Sequence, residues 1–247
     1  MTTPSNALSQ PIGFPVPGWT PRPRPPRTPM EGLYCTVEPL DPGRHADDLF
    51  DANAEDPDGR HWTYLSIERP ATREAYRAWA EAMAAGDDPL FHAIVARDTG
   101  RAVGVASFMR IDPANGVIEV GHINFSPRLQ RTPAATEAMA LMMRRAFDEL
   151  GYRRYEWKCD SLNAPSRAAA ARLGFQYEGL FRQALVTKGR NRDTAWFSII
   201  DGEWPALKAA FERWLEPANF DEAGRQRVRL ADFAPSPSPA GGGKGPA

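Results

Sequence analysis

Phe125-Ser-Pro-Arg-Leu-Gln-Arg-Thr-Pro-Ala-Ala-Thr-Glu137 is the stretch on which the reading of this chain turns. The residues leading into it, Val117 to Phe125, are rich in apolar side chains and read as a strand. Those that follow, Pro133 to Leu150, place Met139, Met142, Met143, Ala146, Phe147 and Leu150 at helical spacing. Thr132 suits the N-cap, Pro133 suits the first helical position, where no N–H is needed, and Gly151 suits the stop. Between strand and helix lies a short loop with Arg128, Gln130 and Arg131. The first N–H groups of a helix have no partner within it, and the helix dipole there favours an anion. A strand, a basic loop and a helix start in succession are therefore a place to hold phosphate. The same local pattern also fits an ordinary amphipathic helix beside a sheet.

The residues downstream separate the two readings. Tyr155-Glu-Trp-Lys-Cys-Asp160 reads as a further strand, followed by Asn163-Ala-Pro-Ser166 and Leu173-Gly-Phe175. Here the chain resembles the GNAT acyl-CoA-dependent N-acetyltransferases. Their pattern is Val-x-Pro-x-x-(Gln/Arg)-x-x-Gly-x-(Gly/Ala), then Asn-x-x-(Ala/Ser) and Gly-Phe. Phe125, Pro127, Gln130 and Ala135 fall on the first part in register, and Asn163, Ser166, Gly174 and Phe175 on the second. Within the family the chain looks most like the branch of ribosomal-protein N-terminal acetyltransferases, which also shows Gly-Phe-x-x-Glu-Gly, here Gly174 to Gly179. The likeness covers roughly residues 32 to 215. There are two departures. The family's phosphate-loop glycine is Pro133, which lacks a backbone donor, and the tyrosine often used as general acid is Ala170.

The resemblance implies an α/β (α+β) fold: a mixed, mostly antiparallel sheet of about seven strands with a splayed parallel pair and helices on both faces. The chain has 247 residues, 42% of them hydrophobic, enough for one large domain or two small ones. The formal net charge of −1 gives no support to nucleic acid or an anionic membrane surface as partner. Cys35 and Cys159 offer neither metal-ligand spacing nor a disulfide framework. A reduced cytoplasm is the expected compartment, with no metal. The sequence shows no basic-then-apolar signal-peptide pattern and no apolar run near 18 residues, so a soluble, intracellular protein is expected. A monomer or homodimer is expected.

Three segments are expected. Residues 1–31 hold nine prolines and read either as a disordered tail or as an extended polyproline II arm lying on the domain, anchored by Ile12, Phe14, Val16 and Trp19. Residues 32–216 form the acetyltransferase-like domain, and 217–247 a short appendage and a disordered tail. In the domain, Gly32 to Leu40 is the first strand, Asp41-Pro-Gly-Arg a turn and Ala46 to Ala54 a helix. Thr72 to Ala85 is a second helix. The loop between the helices carries His61, Trp62 and Tyr64, which either anchor it to the core or wall an acceptor pocket. Leu90–Ala96 and Ala102–Phe108 form a hairpin. Gln176–Thr187 and Thr194–Ile200 are joined by a turn over Lys188–Asp193, whose three basic residues read as a solvated tip. Trp204 to Leu215 closes the domain.

Acyl transfer from a thioester to an amine requires an aligned donor, a deprotonated amine and a hydrogen-bond donor for the developing oxyanion. By resemblance, acetyl-CoA is the cosubstrate. The loop from Gln130 to Thr136 would take its pyrophosphate through the N–H groups of Arg131, Thr132, Ala134, Ala135 and Thr136. Its pantetheine would run beside Ile123, Asn124 and Phe125, with the N–H of Asn124 or Phe125 at the thioester carbonyl. Asn163 contacts pantetheine or orders its loop in the family, and Ser166 lies near the sulfur, where it or its water would protonate the thiolate. Glu119, His122 and Asp160 are candidate bases. In a regular strand Glu119 and His122, three apart, face opposite sides. The expected acceptor is a primary amine of a small molecule, an amino acid or a peptide N-terminus. The alternatives are an acyl-CoA-binding or protein-interaction domain without turnover, and transfer of a larger acyl group such as succinyl.

Overall fold

The computed structural model describes residues 3–233. Its framework is one eight-stranded sheet: β1 (Met30–Glu31), β2 (Cys35–Pro39), β3 (Leu90–Ala96), β4 (Ala102–Asp112), β5 (Val117–Phe125), β6 (Arg154–Asp160), β7 (Gln176–Thr187) and β8 (Arg190–Ile200). The spatial order is β1-β2-β3-β4-β5-β6-β8-β7, with β5/β6 the one parallel pair. The strand beyond the expected seven is β1, the end of the proline-rich arm, which pairs antiparallel with β2.

The helices are α1 (Pro42–Ala54), α2 (Arg73–Ala84), α3 (Pro133–Arg144), α4 (Ala164–Arg172), α5 (Trp204–Trp214) and α6 (Leu230–Phe233). α3 widens into a π turn over Arg145–Glu149. On one face of the sheet, Ile118 and Val120 of β5 join Met139, Met142 and Met143 of α3 and Phe211 of α5 in a large core. On the other, α1 and α2 lay Leu49, Tyr76 and Ala80 against Phe91, Ala93 and Val105. Ala102 to Phe108 is buried residue after residue because β4 is covered on both faces at that level.

α1 begins earlier than expected. Asp41 is its N-cap, accepting from Gly43 N (2.8 Å), and Pro42 occupies the first helical position, so Asp41-Pro-Gly-Arg is a helix start and not a separate turn. The turn between β7 and β8 also shrinks. Lys188 and Gly189 both have positive φ and close a two-residue hairpin, leaving Arg190 to Asp193 in β8. The tip is not simply solvated. Lys188 Nζ donates to Trp62 O (2.8 Å) and pairs with Glu68 (3.2 Å), while Arg190 reaches Thr63 O (3.4 Å). The loop after α1 is thereby fastened to the hairpin, with Trp62 buried beneath it.

The arm docks from Trp19 onward. Trp19 Nε1 donates to Ala114 O (2.8 Å), Arg22 N to Pro113 O (2.9 Å), and the Arg22 guanidinium lies 4.3 Å from the Trp19 ring. Arg27 holds Gly86 O and Asp87, and Arg145 holds Thr28 Oγ1 and Pro29 O. Ile12, Phe14 and Val16 do not anchor it; all three are exposed. Residues 4 to 12 instead close on themselves, Ile12 N donating to Pro4 O and Asn6 Oδ1 accepting from Leu8 N and Gln10 N. A turn that satisfies its own backbone does not need the domain as a partner. At the other end, residues 234–247, the expected tail, lie outside the described residues.

Candidate active site

β5 and β6 are in register over Val117–Val120 and Arg154–Trp157, and pairing stops there. Beyond that point β5 follows β4 as far as Phe125↔Gly104, and β6 follows β8 as far as Asp160↔Thr194. A wedge opens between residues 121–125 and 158–160, with backbone polar groups of β5 facing it. A β-bulge marks its start: pairing with β4 passes from Ser107↔Gly121 to Val105↔Asn124, and His122 adopts φ +46°.

The bulge changes which side chains share a face. His122 stacks on Trp79 (5.6 Å between centroids) and meets Phe91 edge-on (4.9 Å), on the α2 side of the sheet. Glu119 lies on that side too, since Ile118 and Val120 point into the α3 core. The expectation that Glu119 and His122 face opposite sides held for a regular strand, and the extra residue cancels it. Burial lowers the His122 imidazole to about 4, and its Nε2 is buried without a partner.

Glu119 is 2% exposed and held by two cations, Arg110 (2.7 Å) and Lys158 (2.9 Å). Burial pushes its carboxyl above the usual range, while Lys158 and Arg110 pull it back. Arg110 is aimed by a bulge in β4 at φ +46°, pinned by Asp88 accepting from Arg110 N and Ile111 N. The charges alternate onward across the sheet: Lys158 to Glu156 (2.6 Å), Glu156 to Arg154 (2.6 Å), Arg154 to Glu178 (2.5 Å). Lys158 Nζ also sits 3.8 Å above the Trp196 ring. Gly121 leaves room for its neighbours: a Cβ there would overlap Met109 Sδ and lie 3.3 Å from Glu119 Oε1.

Across the wedge, Asn163 caps α4 by accepting from Ser166 N (3.1 Å), and Ser166 Oγ accepts from Trp157 Nε1 (3.0 Å). Asp160 is engaged locally, its Oδ1 accepting from Leu162 N (2.9 Å). Ala170 is buried in the core. On β5, Ile123 and Phe125 pack on the α3 core, whereas Asn124 is 1% exposed with both carboxamide atoms unpartnered.

The loop before α3 is tightly self-bonded. Gln130 Nε2 donates to Phe125 O (2.7 Å), and Thr132 Oγ1 donates to Leu129 O and accepts from Ala135 N (3.2 Å). Thr132 N donates to Leu129 O. Arg128 is occupied by Glu55 (2.7 Å). Among the described residues, the N–H groups of Arg131, at φ +61°, and Ala134 have no acceptor, and the first turn of α3 has no acidic side chain. Free donors at a helix start with no acidic side chain, beside an opened parallel pair, suit an anion leading into a linear chain. The residues present therefore fit a coenzyme with a diphosphate and an extended amide arm.

A family model described as an acetyltransferase (GNAT) domain matches residues 35–176. The chain belongs to the GNAT acetyltransferase family. A crystal structure of a GCN5-related N-acetyltransferase from Brucella melitensis is 51% identical, covering 88% of this chain and 99% of its own, with a TM-score of 0.86. Among curated relatives, the GNAT chain matches the N-acetyltransferase p20 of Bacillus licheniformis at 32% identity, over 45% of this chain and 62% of that protein. It matches YdaF of Bacillus subtilis (strain 168), named as a candidate ribosomal N-acetyltransferase, at 28% over 44% of this chain and 59% of YdaF. The chain thus spans about 60% of the length of these two relatives. No helix among the described residues is long and apolar enough to cross a membrane.

Three residues of the region were not singled out from sequence. Arg110 and Lys158 flank Glu119, and the only sequence signal for Lys158 is its place two residues after Glu156, which a parallel register sets opposite Glu119. Glu137 accepts from Leu33 N, Tyr34 N and Cys35 N (2.6, 2.7 and 2.8 Å) and ties α3 to the entry of β2. Nothing local in the sequence marks it.

Proposed function

We propose that this protein transfers an acetyl group from acetyl-CoA to a primary amine. The observation that supports this best is the opened β5/β6 pair ending beside the free donors of Arg131 and Ala134. Acetyl-CoA supplies a thioester activated toward amines. The N–H groups of Arg131 and Ala134 hold its diphosphate, and the wedge-facing backbone of Ile123, Asn124 and Phe125 takes the pantetheine arm. A backbone N–H of Asn124 or Phe125 donates to the carbonyl oxygen as charge develops there.

Of the three candidate bases, Glu119 suits the task best. His122 sits in an aromatic box with little affinity for a proton, and Asp160 is spent on its own turn. Glu119 is buried, and that burial holds its carboxyl above the usual carboxylate range; it takes the ammonium proton through water. Ser166, or a water it holds, returns a proton to the leaving thiolate. That thiolate is only moderately basic, with a thiol pKa of about 8.5, so the missing tyrosine at Ala170 is tolerable. The acceptor class is an amine of a small molecule, an amino acid or a peptide N-terminus. The ribosomal branch makes N-terminal peptides of ribosomal proteins a natural first set.

The test is an acceptor panel of amines and N-terminal peptides, followed by free-thiol release with acetyl-CoA and with succinyl-CoA in parallel. Acetyl-dependent thiol release that needs the acceptor is expected. Acetyl-CoA alone should also raise the melting temperature. No stabilisation at millimolar acetyl-CoA would remove the coenzyme reading, and stabilisation without turnover on any amine would leave a binding domain.

A further inference from the structure

β8 outruns β6 at the mouth of the wedge. Thr194 lies opposite Asp160, the last residue of β6, and Arg190 to Asp193 continue past it with β7 alone alongside. Alternation along β8 puts Arg190, Arg192, Thr194 and Trp196 on one face of the sheet. It is the face of Glu119, because Lys158 Nζ pairs with Glu119 and sits over the Trp196 ring. Arg192 is half-buried there, and its Nε is enclosed without a partner. Thr194, beside it, is 4% exposed, and its hydroxyl lacks a partner too. Arg190 makes a single contact, with Thr63 O (3.4 Å). Among the described residues no carboxylate lies within ion-pair distance of either arginine. The acids of the loop opposite are already taken, Asp58 by Arg60 (2.9 Å) and Glu68 by Lys188 (3.2 Å). Enclosed donors without acceptors are costly, and a bound anion would satisfy them.

The surroundings narrow the ligand. The loop after α1 is tied to both sides of this face, Tyr64 Oη donating to Leu162 O (3.1 Å) and Lys188 Nζ to Trp62 O (2.8 Å). A cleft of about 340 Å³ opens between that loop and the hairpin, with Trp62, Thr63, Lys188 and Arg190 among its walls. Arg190 and Arg192 are two residues apart on one strand, a spacing of ~6.6 Å, and alternate side chains of an extended peptide recur at the same interval. A guanidinium fork matches a carboxylate better than any neutral side chain. With the reacting amine in the wedge at the level of Asp160, roughly two residues of extended chain reach Arg192 and about four reach Arg190. A free amino acid is too short, since its carboxylate carbon is two bonds from its amine. We propose that Arg190 and Arg192 set acceptor specificity by receiving acidic side chains near the N-terminus of an extended peptide. This rests on the acetyl-transfer reading given above.

The measurement is fluorescence anisotropy of hexapeptides binding to the full chain at fixed low salt. The peptides carry Asp, Asn or Lys at positions 2 and 4, a free N-terminus and a label at the C-terminus. A charge-assisted hydrogen bond amounts to roughly tenfold or more in affinity. Wild type is expected to bind the Asp peptide at least about tenfold more tightly than the Asn peptide. Arg190→Gln combined with Arg192→Gln should bring the two within about twofold, and Arg192→Glu should turn the preference toward the Lys peptide. A wild-type ratio near one overturns the assignment, and this needs no variant to fold. So does an unchanged ratio in a double variant that melts like wild type, or free aspartate competing as well as the Asp peptide. Acetylation of each peptide by acetyl-CoA is followed in parallel. If the Asp peptide binds with the expected pattern and none is acetylated, it is the acetyl-transfer reading that fails, and the docking assignment stands.

Discussion

Glu119 and Glu137 are both buried carboxylates, and their surroundings give them different work. Glu137 accepts three backbone N–H bonds at the start of β2, and Gly32 is so close that a Cβ would overlap its carboxylate. Glu137→Ala strips those donors of their acceptor. A loss of about 3 kcal/mol in urea unfolding is expected, since buried unsatisfied donors cost ~1–3 kcal/mol each and part of the site can rehydrate. Glu119 lies buried between two cations, Arg110 and Lys158. Its ionised form is the one that accepts a proton, and burial has raised its pKa, so wild-type turnover should fall as pH drops through that raised value. Glu119→Gln is expected to lower kcat by ~10²-fold or more near pH 7, with acetyl-CoA affinity nearly unchanged. The deficit should shrink at high pH, where the acceptor amine is already neutral. Full activity from pH 6 to 9 would return the role to His122 or Asp160. A parallel loss of coenzyme binding would make Glu119 a structural ion-pair partner.

At the scale of elements, the start of α3 carries two opposed demands. Pro133 at the first helical position stiffens the chain, but it offers no N–H to an anion. Pro133→Gly is therefore expected to lower stability by roughly 0.5–1 kcal/mol through unfolded-chain entropy, and to tighten coenzyme A binding by restoring a donor. Urea unfolding and calorimetry read the two effects separately; a variant that is less stable and binds no better would show that the cradle does not use this position. The helix itself was legible in advance because Thr132, Pro133 and the methionine spacing are local signals. So were the strands on either side. The bulge at His122 was not: it depends on how β4 and β5 accommodate each other, and no residue type in Gly121-His-Ile123 announces it. The face shared by Glu119 and His122 was lost with it. Arg110 and Lys158 were equally hidden, because they reach Glu119 through strand register, which sequence spacing does not contain.

Across the whole molecule, the proline-rich arm divides at Trp19. The described residues before it make local bonds only, and Trp19 and the residues after it grip the loops at Ala114, Gly86 and Asp87 and the side chain of Arg145. Removing residues 1–17 should leave the melting temperature within about 1 °C of wild type. Removing residues 1–27 loses the Trp19 and Arg27 contacts, ~1–2 kcal/mol in all, and should lower it by roughly 2–8 °C. Equal melting for both truncations would mean that the docked half adds nothing.

The Glu137 clasp has a consequence in time as well as in space. The first six strands lie in the sheet in the order in which they are made, so each has its neighbour as soon as the next one emerges. The entry to β2 is the exception, because its amides close on a carboxylate 102 residues later. At a synthesis rate of ~5–20 residues per second, that partner appears roughly 5–20 s after Cys35. Until then the leading edge of the nascent sheet waits with three open donors, and the ribosome sets the pace at which this domain can be sealed.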